Sequence, residues 1–163
     1  MPGQLFKPRI KEVKIPSMAD LAVVADEFDC GLLSTAIRLI DVNTVPAILA
    51  AHGPNGLRWH MRTPDVPRRW YLKEELDEDS FAYDLLRSGK VQKGLRKSSA
   101  DTWFTNGDGE NYALREHSVA MGSEVLTLIL PEDAMLDAQF DPDAFPTRYN
   151  EHGQYSVKRK PKS

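Results

Sequence analysis

Residues 17–42 read SMADLAVVADEFDCGLLSTAIRLIDV, and their spacing decides the fold class. Met18, Leu21, Ala22, Ala25 and Phe28 recur at the intervals that put side chains on one helical face, and Leu33, Ala36, Ile37 and Ile40 repeat the pattern. Ser17, with Asp20 three residues on, makes a capping-box-like start whose side chains can satisfy free amides of the first turn. Gly31 closes the break after Phe28-Asp29-Cys30, because glycine tolerates the dihedrals of a sharp turn. Two short helices with so brief a connection must share a core, and a helix-turn-helix-like pair is expected.

Beyond Val42 the period changes. Thr44 to Ala51 is an apolar run bounded by turn residues and predicts a strand, with Pro46 at its start or on an edge. His52-Gly53-Pro54-Asn55-Gly56 signals a turn. Leu57 to Arg62 then alternates, predicting Leu57, Trp59 and Met61 on one face and Arg58, His60 and Arg62 on the other. Thr63 to Pro67 reads as a loop and Arg68 to Leu72 as a short aromatic strand or edge segment. An acidic run ending at Asp79 suits the N-terminus of a helix over 80–86. Residues 88–100 are polar and basic and read as a mobile connection. Trp103-Phe104 opens a further strand, Tyr112 to Ala120 alternates, and Val125 to Leu130 is continuously apolar, as in a buried strand.

The fold class that follows is α+β: a short N-terminal helical pair, then an antiparallel sheet module with at least four strands and a helix. The expected divisions are an extended leader over 1–16, punctuated by Pro2, Pro8 and Pro16, a helical adaptor over 17–43, the sheet module over 44–130, and a mostly disordered tail over 131–163. The 163 residues suffice for one domain or two small ones. A net charge of −3 gives no general drive toward nucleic acid or an anionic membrane. The single Cys30 excludes an internal disulfide and fits a reducing compartment. No apolar run approaches the ~20 residues of a membrane span and the N-terminus has no signal-peptide pattern, so a cytoplasmic protein without membrane contact is expected.

Several chemistries can be tested on the residues. A zincin needs two histidines at i, i+4 with a glutamate between them, and His52, His60, His117 and His152 offer no such pair. Glu116-His117 lies in an alternating strand, where neighbours face opposite ways. Asn106-Gly107-Asp108-Gly109-Glu110 resembles a calcium loop in part but lacks its glycine and its final glutamate, and reads as a hairpin turn. Cys30 is expected to be a small buried residue at the helix turn rather than a nucleophile. No metal or cofactor is expected on this chain, and no catalytic residue is assigned. For DNA, the second helix opens Gly31-Leu32-Leu33-Ser34-Thr35 with only Arg38 positive, while Asp20, Asp26, Glu27 and Asp29 repel phosphate, which argues against recognition of duplex DNA. Arg38 is instead expected at an interface or in solvent. Arg58, His60 and Arg62 form the candidate face for a ligand or anion. Trp59, Trp70 and Trp103 fit core positions, with a ligand pocket as the other reading.

Pro16-Ser17, Leu21-Ala22, Phe28-Asp29-Cys30-Gly31-Leu32 and Thr35-Ala36-Ile37-Arg38-Leu39 together resemble the middle of the ImmA/IrrE family of zinc metallopeptidases. In that family a peptidase domain ends in a phrase like "LMP", and Met1-Pro2 with Leu5-Phe6 looks like its tail. The similarity continues through Trp59, Ser80 and Trp103 to about Leu130. The resemblance implies a helix-turn-helix followed by a GAF-like module, a zinc peptidase domain as partner, an unidentified small-molecule ligand, and a sensing or positioning role in cleavage of a transcriptional repressor during stress. Gly31 stands where the family tends to have a serine cap, and the peptidase region with its His-Glu-x-x-His is absent. A DNA-binding accessory protein and a subunit of a split metallopeptidase are the alternatives.

Overall fold

The computed structural model describes residues 3–13, 15–67, 70–105, 111–137, 148–149 and 155–156. The expected pair is present as α2 (Met18–Glu27) and α3 (Leu32–Val42). Ser17 caps α2 reciprocally: its side chain accepts the Asp20 N–H, and the Asp20 carboxylate accepts the Ser17 N–H at 2.8 Å. The tight turn differs from expectation in one respect. The left-handed residue is Asp29 (φ 53°), a type that tolerates this region, while Gly31 is extended (φ −73°) and serves as the N-cap of α3 without a side-chain bond.

Ahead of the pair, Gly3–Lys11 forms a helix, α1, where an extended leader was expected. Phe6 and Ile10, four residues apart, are fully buried against the pair, and this burial outweighs the single helical hydrogen bond that Pro8 removes. Arg9 adds a two-point ion pair to Glu27 of α2 at 2.9 Å.

The sheet has five antiparallel strands: β1 (Ile48–Gly53), β2 (Gly56–Arg62), β3 (Arg96–Ser99), β4 (Ala113–Met121) and β5 (Glu124–Pro131), in the order β2-β1-β5-β4-β3. A helix, α4 (Phe81–Ser88), capped by the Ser80 side chain, lies between β2 and β3 in sequence. Alternation along the strands separates two cores. Leu49, Ala51, Leu126 and Leu128 face α1–α3, while Ile48, Ala50, Leu114 and Ile129 face α4, Trp70, Trp103 and Phe104. All three tryptophans pack in these cores, Trp59 only partly.

Four further expectations are corrected. The register of β2 shifts between Ala51 and His52, which pair with Trp59 and Leu57, so Arg58 is the extra residue of a bulge. Leu57 therefore joins the α4-side core, whereas Trp59 and Met61 join the helical-pair side. Second, the supposedly mobile 88–100 stretch contains β3 and the buried Gln92. Third, Ala100–Thr102 is a 3-10 turn, and Phe104 makes only an isolated bridge to Leu72 rather than opening a strand. Fourth, the tail is ordered at its start: β5 runs to Pro131, α5 spans Asp133–Asp137 with Met135 buried, and Arg148–Tyr149 pairs with Tyr155–Ser156. The loop Asn106–Glu110 and the rest of the tail lie outside the described residues.

At the β1–β2 turn only glycine fits position 56. Gly56 has φ +109°, and a Cβ there would lie 2.9 Å from the Glu74 carbonyl oxygen, which accepts the Leu57 N–H at 2.7 Å.

Candidate functional site

The chemistry of the fold is concentrated at the seam between the helices and the sheet. His117 on β4 points toward the helices. Its Nδ1 accepts the backbone N–H of Met18, the first residue of α2, at 3.0 Å. The proton is therefore on Nε2, which faces the Gln92 carbonyl at 3.4 Å. Burial holds the His117 imidazole below its ordinary pKa, opposed by the Gln92 carbonyl and by Asp20. Gln92 continues the ladder that β3 leaves unfinished: its amide donates to the Glu116 carbonyl at 2.7 Å and accepts the Ser118 N–H at 2.9 Å.

Glu116, next in sequence, points the other way, as the strand period requires. It is fully buried, and its carboxylate accepts the Phe81 N–H at the start of α4 (2.8 Å) and the Trp103 indole N–H. Burial pushes this carboxyl up, against the Phe81 amide, Trp103, Ser98 and the charge of Arg96. His52 stands edge-on to Trp103 with its Nε2 at 3.3 Å from the Lys73 carbonyl, and burial holds its imidazole below the ordinary pKa. These groups are structural ties. Both ring nitrogens of His117 and both carboxylate oxygens of Glu116 meet backbone or indole groups, whereas the buried Nδ1 of His52 has no hydrogen-bond partner among the described residues. Among the described residues no group of three His, Cys, Asp or Glu side chains could hold a metal ion.

The stripe Arg58, His60 and Arg62 is not a set of three free cations. Arg58 pairs with Glu124 at 3.4 Å. Arg62 donates to the carbonyls of Pro67 (2.6 Å) and Trp70 (3.0 Å), clasping the loop after β2. His60 is exposed and has no such partner among the described residues. Arg38, expected at an interface or in solvent, is half-buried on α3, and its Nε, shielded from water, has no hydrogen-bond partner among the described residues.

A groove of about 590 Å³ opens at the same seam. Its apolar wall comes from both connections of the helical pair: Ile15 and Pro16 precede α2, and Val45 and Pro46 follow α3. The floor is a row across three strands, because Lys97 pairs with Arg115 and Arg115 with Leu130. Pro131, Glu132 and Asp133 close the end. The walls are held in place. Pro16 is buried one residue before the Ser17 capping box, Ala47 exchanges bonds with Thr63 at 3.0 Å, and the Glu132 N–H binds the Ala113 carbonyl at 3.3 Å. Prolines at 16, 46 and 131 fix the local backbone further.

Glu132 lies 3.7 Å from Lys97 and 3.8 Å from Arg115, within ion-pair range but beyond hydrogen-bond length. Both cations are thus ion-paired at long range but give no hydrogen bond among the described residues. Sequence reasoning missed this site because its residues come from five separate segments. The prolines were visible, but their convergence was not. A second cavity of about 510 Å³ lies beside α4, where Arg87 stacks on Tyr83 at 5.3 Å near Glu75 and Glu78.

Among the described residues no helix is long and apolar enough to cross a membrane. In comparisons with known proteins, no family model and no curated protein matches the chain.

Proposed function

We propose that the chain is a non-catalytic regulatory module of the ImmA/IrrE type: a helical adaptor on a GAF-like sheet module, working in the cytoplasm with a zinc peptidase domain that cleaves a transcriptional repressor in a stress response. The observation that carries this reading is the position of the groove. It is walled by both connections of the helical pair and floored by the sheet, so an occupant would touch both parts and bias how they pack. The sequence phrases from Pro16 to Leu39 supply the family side of the proposal. In the alternative of a split metallopeptidase this chain would be the subunit without the metal.

The test is metal analysis of the dialysed protein together with a repressor-cleavage assay. The expected result is no stoichiometric zinc and no cleavage by this chain alone. Hydrolysis by the family's route needs a metal to activate water and a carboxylate to move the proton. One tightly held zinc per chain, lost together with an activity in His60→Ala or His117→Ala, would overturn the reading.

A DNA-binding accessory protein is the other class. Thr35, Ala36, Leu39 and Ile40 of α3 are buried, and the exposed side of α2 carries Asp26 and Glu27. Duplex DNA is therefore expected to bind weakly and without sequence preference, and to be released by physiological salt. A binding-site selection that recovers one preferred sequence at nanomolar affinity would favour the accessory-protein reading instead.

A further inference from the structure

The groove at the seam contains more than an apolar wall. Two cations, Lys97 and Arg115, and two carboxylates, Glu132 and Asp133, share its mouth. The cation side chains are 68% and 42% exposed, and neither gives a hydrogen bond among the described residues. A ligand with a single negative charge would engage the cations but face both carboxylates, and a phosphate dianion would face them with twice the charge. A lone ammonium meets the converse penalty from Lys97 and Arg115. A ligand carrying both charges avoids either conflict, because each end meets groups of opposite sign that are held only by the long ion pairs to Glu132 and give no shorter hydrogen bond among the described residues. The wall of Ile15, Val45 and Pro46, with Leu130 on the floor, adds a requirement for an apolar body.

We propose that this groove binds a small amphipathic zwitterion, an α-amino acid with a bulky apolar side chain, free or at the end of a short peptide. The carboxylate takes the forked donors of Arg115 together with Lys97. The ammonium lies toward Glu132 and Asp133, and the side chain covers Val45, Pro46 and Leu130. A volume of about 590 Å³ holds a free amino acid with room to spare and accepts a dipeptide. The inference rests on the proposed sensing role of the groove and names the ligand class for it.

The experiment is titration calorimetry of the full chain with L-leucine, L-phenylalanine and the dipeptide Leu-Phe. Phenylalanine amide, which lacks the carboxylate, and phenylpropionate, which lacks the ammonium, are the controls. Saturable binding with Kd below about 1 mM is expected for at least one of the three zwitterions, and loss of either charge should weaken it at least about 10-fold. The ranking of amino acid against dipeptide identifies the source. Arg115→Ala should weaken binding about 10- to 100-fold. Val45→Trp, which fills the groove from a surface connection, should abolish it. Arg87→Ala, beside the second cavity, should leave it unchanged. Cooperative unfolding of each variant confirms that it is folded. Absence of binding by all three zwitterions would overturn the inference, as would phenylpropionate matching phenylalanine or an unchanged affinity in folded Arg115→Ala and Val45→Trp. Because the readout uses the chain alone, its failure leaves the peptidase partnership to be judged separately by zinc content and repressor cleavage.

Discussion

Glu116→Ala is expected to cost about 3–5 kcal/mol of stability, visible as a fall of roughly 10 °C in the thermal midpoint. The carboxylate is fully buried and ties three parts of the molecule together: β4, the first amide of α4 and the indole of Trp103. Alanine leaves the Phe81 N–H and the Trp103 N–H in the interior with no acceptor, and each orphaned donor costs about 1–3 kcal/mol. It also removes a negative group from the N-terminus of α4. Glu116→Gln keeps one acceptor oxygen but turns an amide toward a donor, so about half the loss is expected. Chemical denaturation of the three proteins checks this order. A change under about 1 kcal/mol for the alanine variant would show that the tie contributes little.

His117→Ala is expected to cost about 2–4 kcal/mol and to flatten the pH dependence of stability. The variant frees the Met18 N–H and the Gln92 carbonyl inside the seam and leaves a void where the ring stood. The pH effect has a definite sign. His117 and His52 are held below their ordinary value of 6.5 by burial, so the unfolded chain binds protons there that the folded chain refuses. Their contribution is complete above 6.5 and is lost as pH falls through the depressed folded values, at up to about 1.4 kcal/mol per pH unit for each histidine. Glu116 acts oppositely. Its raised carboxyl contributes stability that is complete below the ordinary 4.5 and fades as pH rises through the folded value. Between these limits the two effects partly cancel. His117→Ala should therefore lose less stability than the wild type on going from about pH 7 to pH 5, and Glu116→Gln should lose more. Equal slopes in all three proteins would refute the assignment.

The order of elements was legible because local patterns survive folding. The capping box at Ser17 and Asp20, the cap at Ser80, and the strands after Gly56 and before Met121 are all decided within a few residues. What escaped was decided by distant partners. Phe6 and Ile10 already had helical spacing, but three prolines outweighed it until the pair supplied a surface on which to bury them. The Arg58 bulge has no local signature. It arises because Leu57 must serve one core while Trp59 and Met61 serve the other. Gln92 looked like one polar residue among many, yet its amide stands in for a missing strand residue beside β4. The partners of Arg58 and Arg62 were hidden for the same reason, since Glu124 and the carbonyls of Pro67 and Trp70 lie outside the alternating stretch that nominated these residues.

His117 also links the stability argument to the functional one. It fixes the start of α2 directly after Ile15 and Pro16, which wall the groove, so the seam that stabilises the fold also shapes the site. An occupant of the groove would work against connections anchored in this way rather than against loose chain.

The central claim, a regulatory module without its own peptidase chemistry, is tested most directly by reconstitution. The chain is mixed with a zinc peptidase domain of the ImmA/IrrE type and its repressor, and association and cleavage rate are measured with and without the chain. The account predicts a specific complex of chain and peptidase and a cleavage rate that changes when the chain is present, while the chain alone leaves the repressor intact. Repressor cleavage by the chain alone, or a peptidase that neither binds the chain nor changes its rate, would contradict it.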